Sequence, residues 1–135
     1  MIVRKYQKGD LDGFCFQPEQ LWEKDAICVG DNAMSLVSDD GIVAVVWYEK
    51  VWKGRFCLYS VISAKAGKHM MALVRALRRM IADKSAEEHA ERLEMTVVRG
   101  FDAGIRLAKM LGFEYEGTMR KVIKGLDFHL FARIY

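Results

Sequence analysis

The stretch that decides the fold is Arg92 to Tyr135, RLEMTVVRGFDAGIRLAKMLGFEYEGTMRKVIKGLDFHLFARIY. Leu93 to Val98 is a short β-branched, apolar run and reads as a buried-type strand. Asp102 to Leu111 changes period: Ile105, Ala108 and Leu111 fall on one helical face, and Gly112 closes the helix. Phe113 to Arg120 and Leu126 to Tyr135 read as two final strands, with Lys124-Gly125 in the turn between them. The unit is therefore strand, helix, strand, strand.

Upstream, Met1 to Tyr6 alternates apolar and polar residues, as a first strand does. Asp10 precedes an apolar run (Leu11, Phe14, Phe16, Leu21, Trp22) that predicts one or two short helices, broken at Pro18, which suits a first helical turn. Ala33 to Ser38 and Ile42 to Glu49 predict a hairpin around Asp39-Asp40-Gly41. A second turn, Trp52-Lys53-Gly54, leads to a strand over Arg55 to Ile62. From His69 the apolar positions Met70, Leu73, Val74, Leu77, Met80 and Ile81 have helical spacing, with Arg75, Arg78, Arg79 and Lys84 on the other side. Ser85 to Glu91 reads as a loop or frayed end. The fold class is α/β (α+β): a mixed, mostly antiparallel sheet of 6–7 strands with about four helices and one parallel pairing in the middle.

Bulk composition narrows the function classes. With 135 residues, 52% hydrophobic and 29% charged, the chain reads as a single domain over residues 1–135 with material for a core. A net charge of +3 permits an anionic ligand, yet lacks the basic, aromatic-interleaved stripe of a dedicated nucleic-acid binder. Cys15, Cys28 and Cys57 are odd in number and widely spaced, which fits reduced cytoplasmic thiols better than a disulfide framework or a zinc knuckle. The first residues, MIVRKYQKGD, do not read as a signal peptide, and no apolar run approaches the roughly 18 residues of a membrane span. The three histidines do not cluster with acids at metal spacing.

The segment Phe101 to Arg120, with Leu111-Gly112-Phe113 and then Glu116-Gly117 and Arg120, resembles the "helix, Leu-Gly-Phe, x, x, Glu-Gly, x, x, Arg" signature of the GNAT (N-acetyltransferase) superfamily. It is most similar to the branch that acetylates protein N-termini and small amines. Gly125 to Arg133 fits the family's last strand. Length and layout also resemble short GNAT-like proteins encoded by phages and prophages, through Phe16-Gln17-Pro18, through Gly54, Tyr59, Ser60 and Ser63, and through Arg92-Leu93-Glu94. The resemblance covers the full chain and is strongest from Arg92 onward.

That resemblance implies acetyl-CoA as cosubstrate, with no metal. The pantetheine arm would pair with the edge of the strand Phe56 to Ile62 where it splays from its neighbour. The pyrophosphate would meet amides at the start of the next helix, Met70 to Ala82. The implied cofactor-binding residues are Val61, Ile62, Ser63, Lys65, Gly67, Lys68, His69, Met70 and Arg106. In the loop Ser63 to Met70, Lys65 takes the basic position of the family pattern, while Lys68 and Met70 stand where two small residues are usual. Ala108 occupies the position where many relatives carry a tyrosine that protonates the leaving thiolate. Glu49, Tyr59 and Ser63 are the catalytic candidates, with Glu94 and His129 as further general-base candidates. Ser63 reads equally well as a helix cap.

Two functions follow. The first is an acetyl-CoA-dependent N-acetyltransferase acting on an amine of a small molecule or protein. The second is a non-catalytic GNAT-like phage protein, a virion component or partner-binding module, which the altered loop and Ala108 favour. A homodimer and a phage-protein partner are compatible with either. The Arg75, Arg78 and Arg79 face reads as solvated, with contact to an acidic partner or to nucleic acid as the alternative.

Overall fold

The computed structural model of the protein describes residues 1–24 and 27–135. Its strands are β1 (Ile2–Lys5), β2 (Met34–Ser38), β3 (Gly41–Trp52), β4 (Arg55–Ile62), β5 (Arg92–Val98), β6 (Glu114–Ile123) and β7 (Leu126–Ile134). Its α-helices are α1 (Met70–Glu87) and α2 (Asp102–Met110), and 3-10 helices cover Pro18–Glu23 and Gly67–His69. The seven strands form one sheet in the order β1-β2-β3-β4-β5-β7-β6. β4 and β5 run parallel, and β1–β2, β2–β3, β5–β7 and β6–β7 run antiparallel. The sheet is as expected. The helices differ: among the described residues there are two α-helices and two short 3-10 segments where about four helices were expected.

Contacts group the chain into two compact units, Met1–Glu49 with Tyr59–Leu77 and Lys50–Leu58 with Arg78–Tyr135. In the first, Ala33, Val45, Trp47 and Val61 form a buried cluster against Tyr6, Leu11, Phe14, Phe16, Ile27, Val29 and Ile42. The N-terminal segment reaches that cluster without an α-helix because it is pinned by polar contacts. Asp10 accepts two hydrogen bonds from the Arg4 guanidinium at 2.8 and 2.9 Å, one from the Ser35 hydroxyl at 2.7 Å and one from the Gln7 amide at 2.9 Å. These donors hold its carboxyl well below the usual carboxylate range, the Arg4 hydrogen bond contributing most. Pro18 then opens the first 3-10 helix.

In the second unit, β5 pairs with β7 along its whole length, Arg92↔Ile134 through Val98↔Phe128. α2 buries Leu107 and Ala108, and Gly112, at φ +87°, ends it in a conformation that favours glycine. Arg78 donates two hydrogen bonds to the Met110 carbonyl, at 3.0 and 2.7 Å. One member of the arginine face expected to be solvated thus caps the carboxyl end of α2. α1 also runs past the expected boundary, to Glu87. Ser85 is buried, with its hydroxyl 3.0 Å from the Tyr135 hydroxyl, so a tertiary contact extends a polar segment as helix. His89, at φ +50°, then stops it. The three cysteines are free. Among the described residues no helix is long and apolar enough to cross a membrane.

Candidate functional site

β4 is the element on which the site is built. Its parallel register with β5 has only three pairs, Arg55↔Arg92, Phe56↔Leu93 and Cys57↔Glu94, while β4 itself continues to Ile62. In a strand, successive residues present their N–H and C=O groups to opposite edges. The Ser63 amide donates to the Val43 carbonyl of β3 at 2.8 Å, so Val61 and Ser63 face β3. Ser60 and Ile62 therefore present their backbone groups to the other edge.

After β4 the chain turns sharply into the second 3-10 helix and α1. The Ala66 amide donates to Ser63 O at 3.1 Å, and the His69 amide to Ala66 O at 2.8 Å. The Ser63 hydroxyl accepts from the Lys65 amide at 3.1 Å, so this buried serine caps the turn. Gly67 and Lys68 are the first residues of the helical run, where amides have no carbonyl of their own helix to bind. Lys65 is exposed beside them. Lys68 Nζ and His69 Nε2 both lie 2.9 Å from Asp40 Oδ2, on the β2–β3 turn. The His69 and then the Lys68 hydrogen bond hold the Asp40 carboxyl below its ordinary value. A cavity of about 270 Å³ opens here, with Asp12, Cys15, Ser38, Asp40, Lys65 and His69 in its lining.

Val61, Ile62, Ser63, Lys65, Gly67, Lys68, His69 and Met70 thus fall on one continuous strand end, turn and helix start. Tyr59 is on the same strand, 39% exposed, with its ring stacked on Trp47 at 5.6 Å. Glu49 is exposed on β3, six residues beyond the Val43 that meets Ser63, or roughly 20 Å along a strand. Arg106, Glu94 and His129 belong to the second unit. Arg106 is exposed on α2. Glu94 is buried and bound by Arg55 and Arg92, whose hydrogen bonds, that of Arg55 foremost, lower its carboxyl. His129 Nδ1 lies 2.7 Å from Thr118 Oγ1, which in turn is 2.7 Å from the Tyr115 hydroxyl. Ala108 is fully buried on α2, so that position supplies packing and no phenol.

One carboxylate was missed in the sequence. Glu23, at the end of the first 3-10 helix, is half-buried, and its Oε2 has no hydrogen-bond partner. Burial pushes its carboxyl up to about 7. Side chains three residues apart eclipse on a 3-10 helix, so Glu23 shares a face with Gln20 and with the N-cap Gln17. Gln20 Nε2 donates to Ser60 O at 3.2 Å, and Gln17 Nε2 donates to Ile62 O at 3.2 Å. That face is the one turned to β4. The only signal for Glu23 in the sequence is its spacing from Gln20, which means nothing until the helix is known to be 3-10.

No protein-family model and no curated protein matches the sequence. Solved structures do match. A GNAT-family acetyltransferase from Bacillus anthracis superposes with a TM-score of 0.76 at 14% identity, over 98% of this chain and 93% of that one. This is the GNAT fold. A spermidine N-acetyltransferase from Vibrio cholerae gives 0.72 at 11% identity, over 99% of this chain and 95% of the other. A ribosomal-protein-S5-alanine acetyltransferase from Vibrio fischeri gives 0.70 at 16%, over 98% and 91%. Near-complete coverage at such low identity means that the layout is shared and the side chains are not, so a site reading rests on this chain's own residues.

Proposed function

We propose that this GNAT-fold chain is an acetyl-CoA-dependent N-acetyltransferase acting on an amine of a small molecule or a protein. The observation that carries the reading is the end of β4. A strand edge turned away from β3 over Ser60–Ile62 leads directly into a turn whose Gly67 and Lys68 amides start a long helix beside Lys65. Amide groups of pantetheine can pair with the strand edge as an added strand would. Phosphates suit the helix start, where the dipole and the free N–H groups act together.

In this reading the Ile62 amide is the backbone donor aimed at the thioester carbonyl, where negative charge develops. The amine nitrogen forms a bond to the acetyl carbon, the carbon–sulfur bond breaks, and CoA leaves as the thiolate. Glu23, neutral or charged near pH 7, is suited to take the amine proton, and Tyr59 flanks the same strand. Glu94 is unsuited because the hydrogen bonds from Arg55 and Arg92 lower its proton affinity and make it a weak base. Position 108 carries an alanine and no phenol, so in this reading water protonates the thiolate.

Melting the protein with and without millimolar acetyl-CoA tests the reading. A rise in Tm supports it, and thiol release over a panel of polyamines and free-N-terminus peptides then defines the acceptor. An unchanged Tm would sink it. A second reading, a non-catalytic GNAT-like module such as a phage virion component, is favoured by Ala108. Stabilisation by acetyl-CoA without thiol release for any amine would support that one.

A further inference from the structure

The edge of β4 proposed above for the acyl donor is already occupied by the chain itself. Ala64 N donates to Cys15 O at 2.8 Å, and Phe16 forms an antiparallel bridge with Ser63. Gln17 Nε2 donates to Ile62 O at 3.2 Å, and Gln20 Nε2 donates to Ser60 O at 3.2 Å. Gln20 Oε1 accepts from the Ile62 amide at 3.4 Å. A primary amide offers the same donor and acceptor as a peptide group. The spacing also matches. One turn of 3-10 helix rises about 6 Å, and two residues of strand rise about 6.7 Å, so Gln17 and Gln20 follow Ile62 and Ser60 as rungs on a common ladder.

We propose that Gln17 and Gln20 close the acyl-donor edge by imitating the ligand's own amides, and that an acyl-CoA thioester binds only by displacing them. The device rests on the acetyl-CoA reading above and sets the affinity of that site. The closing contacts lie on the strand and not on the phosphate-binding turn, so they discriminate between ligands with and without a pantetheine arm.

The test is calorimetric titration of the wild type, Gln20→Met and the Gln17→Ala/Gln20→Ala double variant with acetyl-CoA and with adenosine 3′,5′-bisphosphate, which lacks pantetheine. Acetyl-CoA should bind the double variant at least about fivefold more tightly, and Gln20→Met in the same direction by a smaller factor. The bisphosphate should bind all three alike. Circular dichroism melts confirm that each is folded, and Gln20→Met, which keeps the side-chain volume, stands if the double variant does not fold. Equal or weaker acetyl-CoA binding by the folded variants overturns the closure while leaving the acetyl-CoA reading intact. Parallel tightening for the bisphosphate overturns it as well. Absence of acetyl-CoA binding in all three proteins removes the acetyl-CoA reading and the closure together.

Discussion

At the residue scale, three glutamates that look alike in the sequence have different surroundings. Glu94 is ionised between two arginines, Glu49 is exposed on β3, and Glu23 has a buried oxygen without a partner. Glu23 keeps its proton up to about pH 7, against about 4.5 in an unfolded chain, so the native state binds more protons between those values. Stability therefore falls as pH rises from about 4.5 through 7. Glu23→Gln should remove that slope. At pH 8 the variant should be more stable by on the order of 2 kcal/mol, with no difference at pH 4, as read by urea unfolding. On the acetyltransferase reading proposed above, the same variant should lose about 100-fold in kcat with KM for acetyl-CoA unchanged. Asp10 has the opposite sign. Its carboxyl is lowered by Arg4 and its other donors, so its stabilising contribution is present above about pH 4 and is lost as pH falls. Asp10→Asn should flatten the acid limb of a stability–pH curve.

At the element scale, α2 shows why a helical pattern does not fix which residues a helix can carry. Glycine inside a helix costs about 1 kcal/mol relative to alanine, so Gly104→Ala looks favourable from the sequence. A Cβ at Gly104, however, would sit 2.8 Å from a side-chain carbon of Phe101 and 2.8 Å from one of Val97, inside any normal contact. The variant should lose about 1–3 kcal/mol and several degrees of Tm. An unchanged or higher Tm would show that β5 and α2 can separate at no cost. The strands were legible because alternation and β-branched runs mark them directly: Arg55–Ile62 is β4 with the expected bounds. The Ser85 segment was not legible. Its residues are mostly polar and show no apolar periodicity, and the buried Ser85 hydroxyl that meets Tyr135, fifty residues away in sequence, leaves no trace in the local pattern.

At the scale of the whole molecule, the acetyl-CoA reading predicts a linkage effect. A ligand that binds only the folded state at 100 times its Kd adds about 2.7 kcal/mol, several degrees in the melt. Because Lys65 and Lys68 are exposed, that gain should shrink between 0.05 and 0.5 M salt; a salt-independent shift would place the ligand away from the helix start. The sequence by itself determined the order of strands and helices, a parallel pairing in the middle of the sheet and the GNAT layout. These depend on short-range periodicity and on the Leu111-Gly112-Phe113 and Glu116-Gly117 signature, all carried by neighbouring residues. It also marked the strand end, turn and helix start from Val61 to Met70, which are contiguous. Only the tertiary structure decided what those residues do. Asp40 meets Lys68 and His69, Ser63 caps its own turn, and Gln17 and Gln20 reach across forty or more residues of sequence to hold Ser60 and Ile62. Partners so distant in the chain leave no periodic trace, because hydrogen-bond geometry and burial are properties of the folded chain alone.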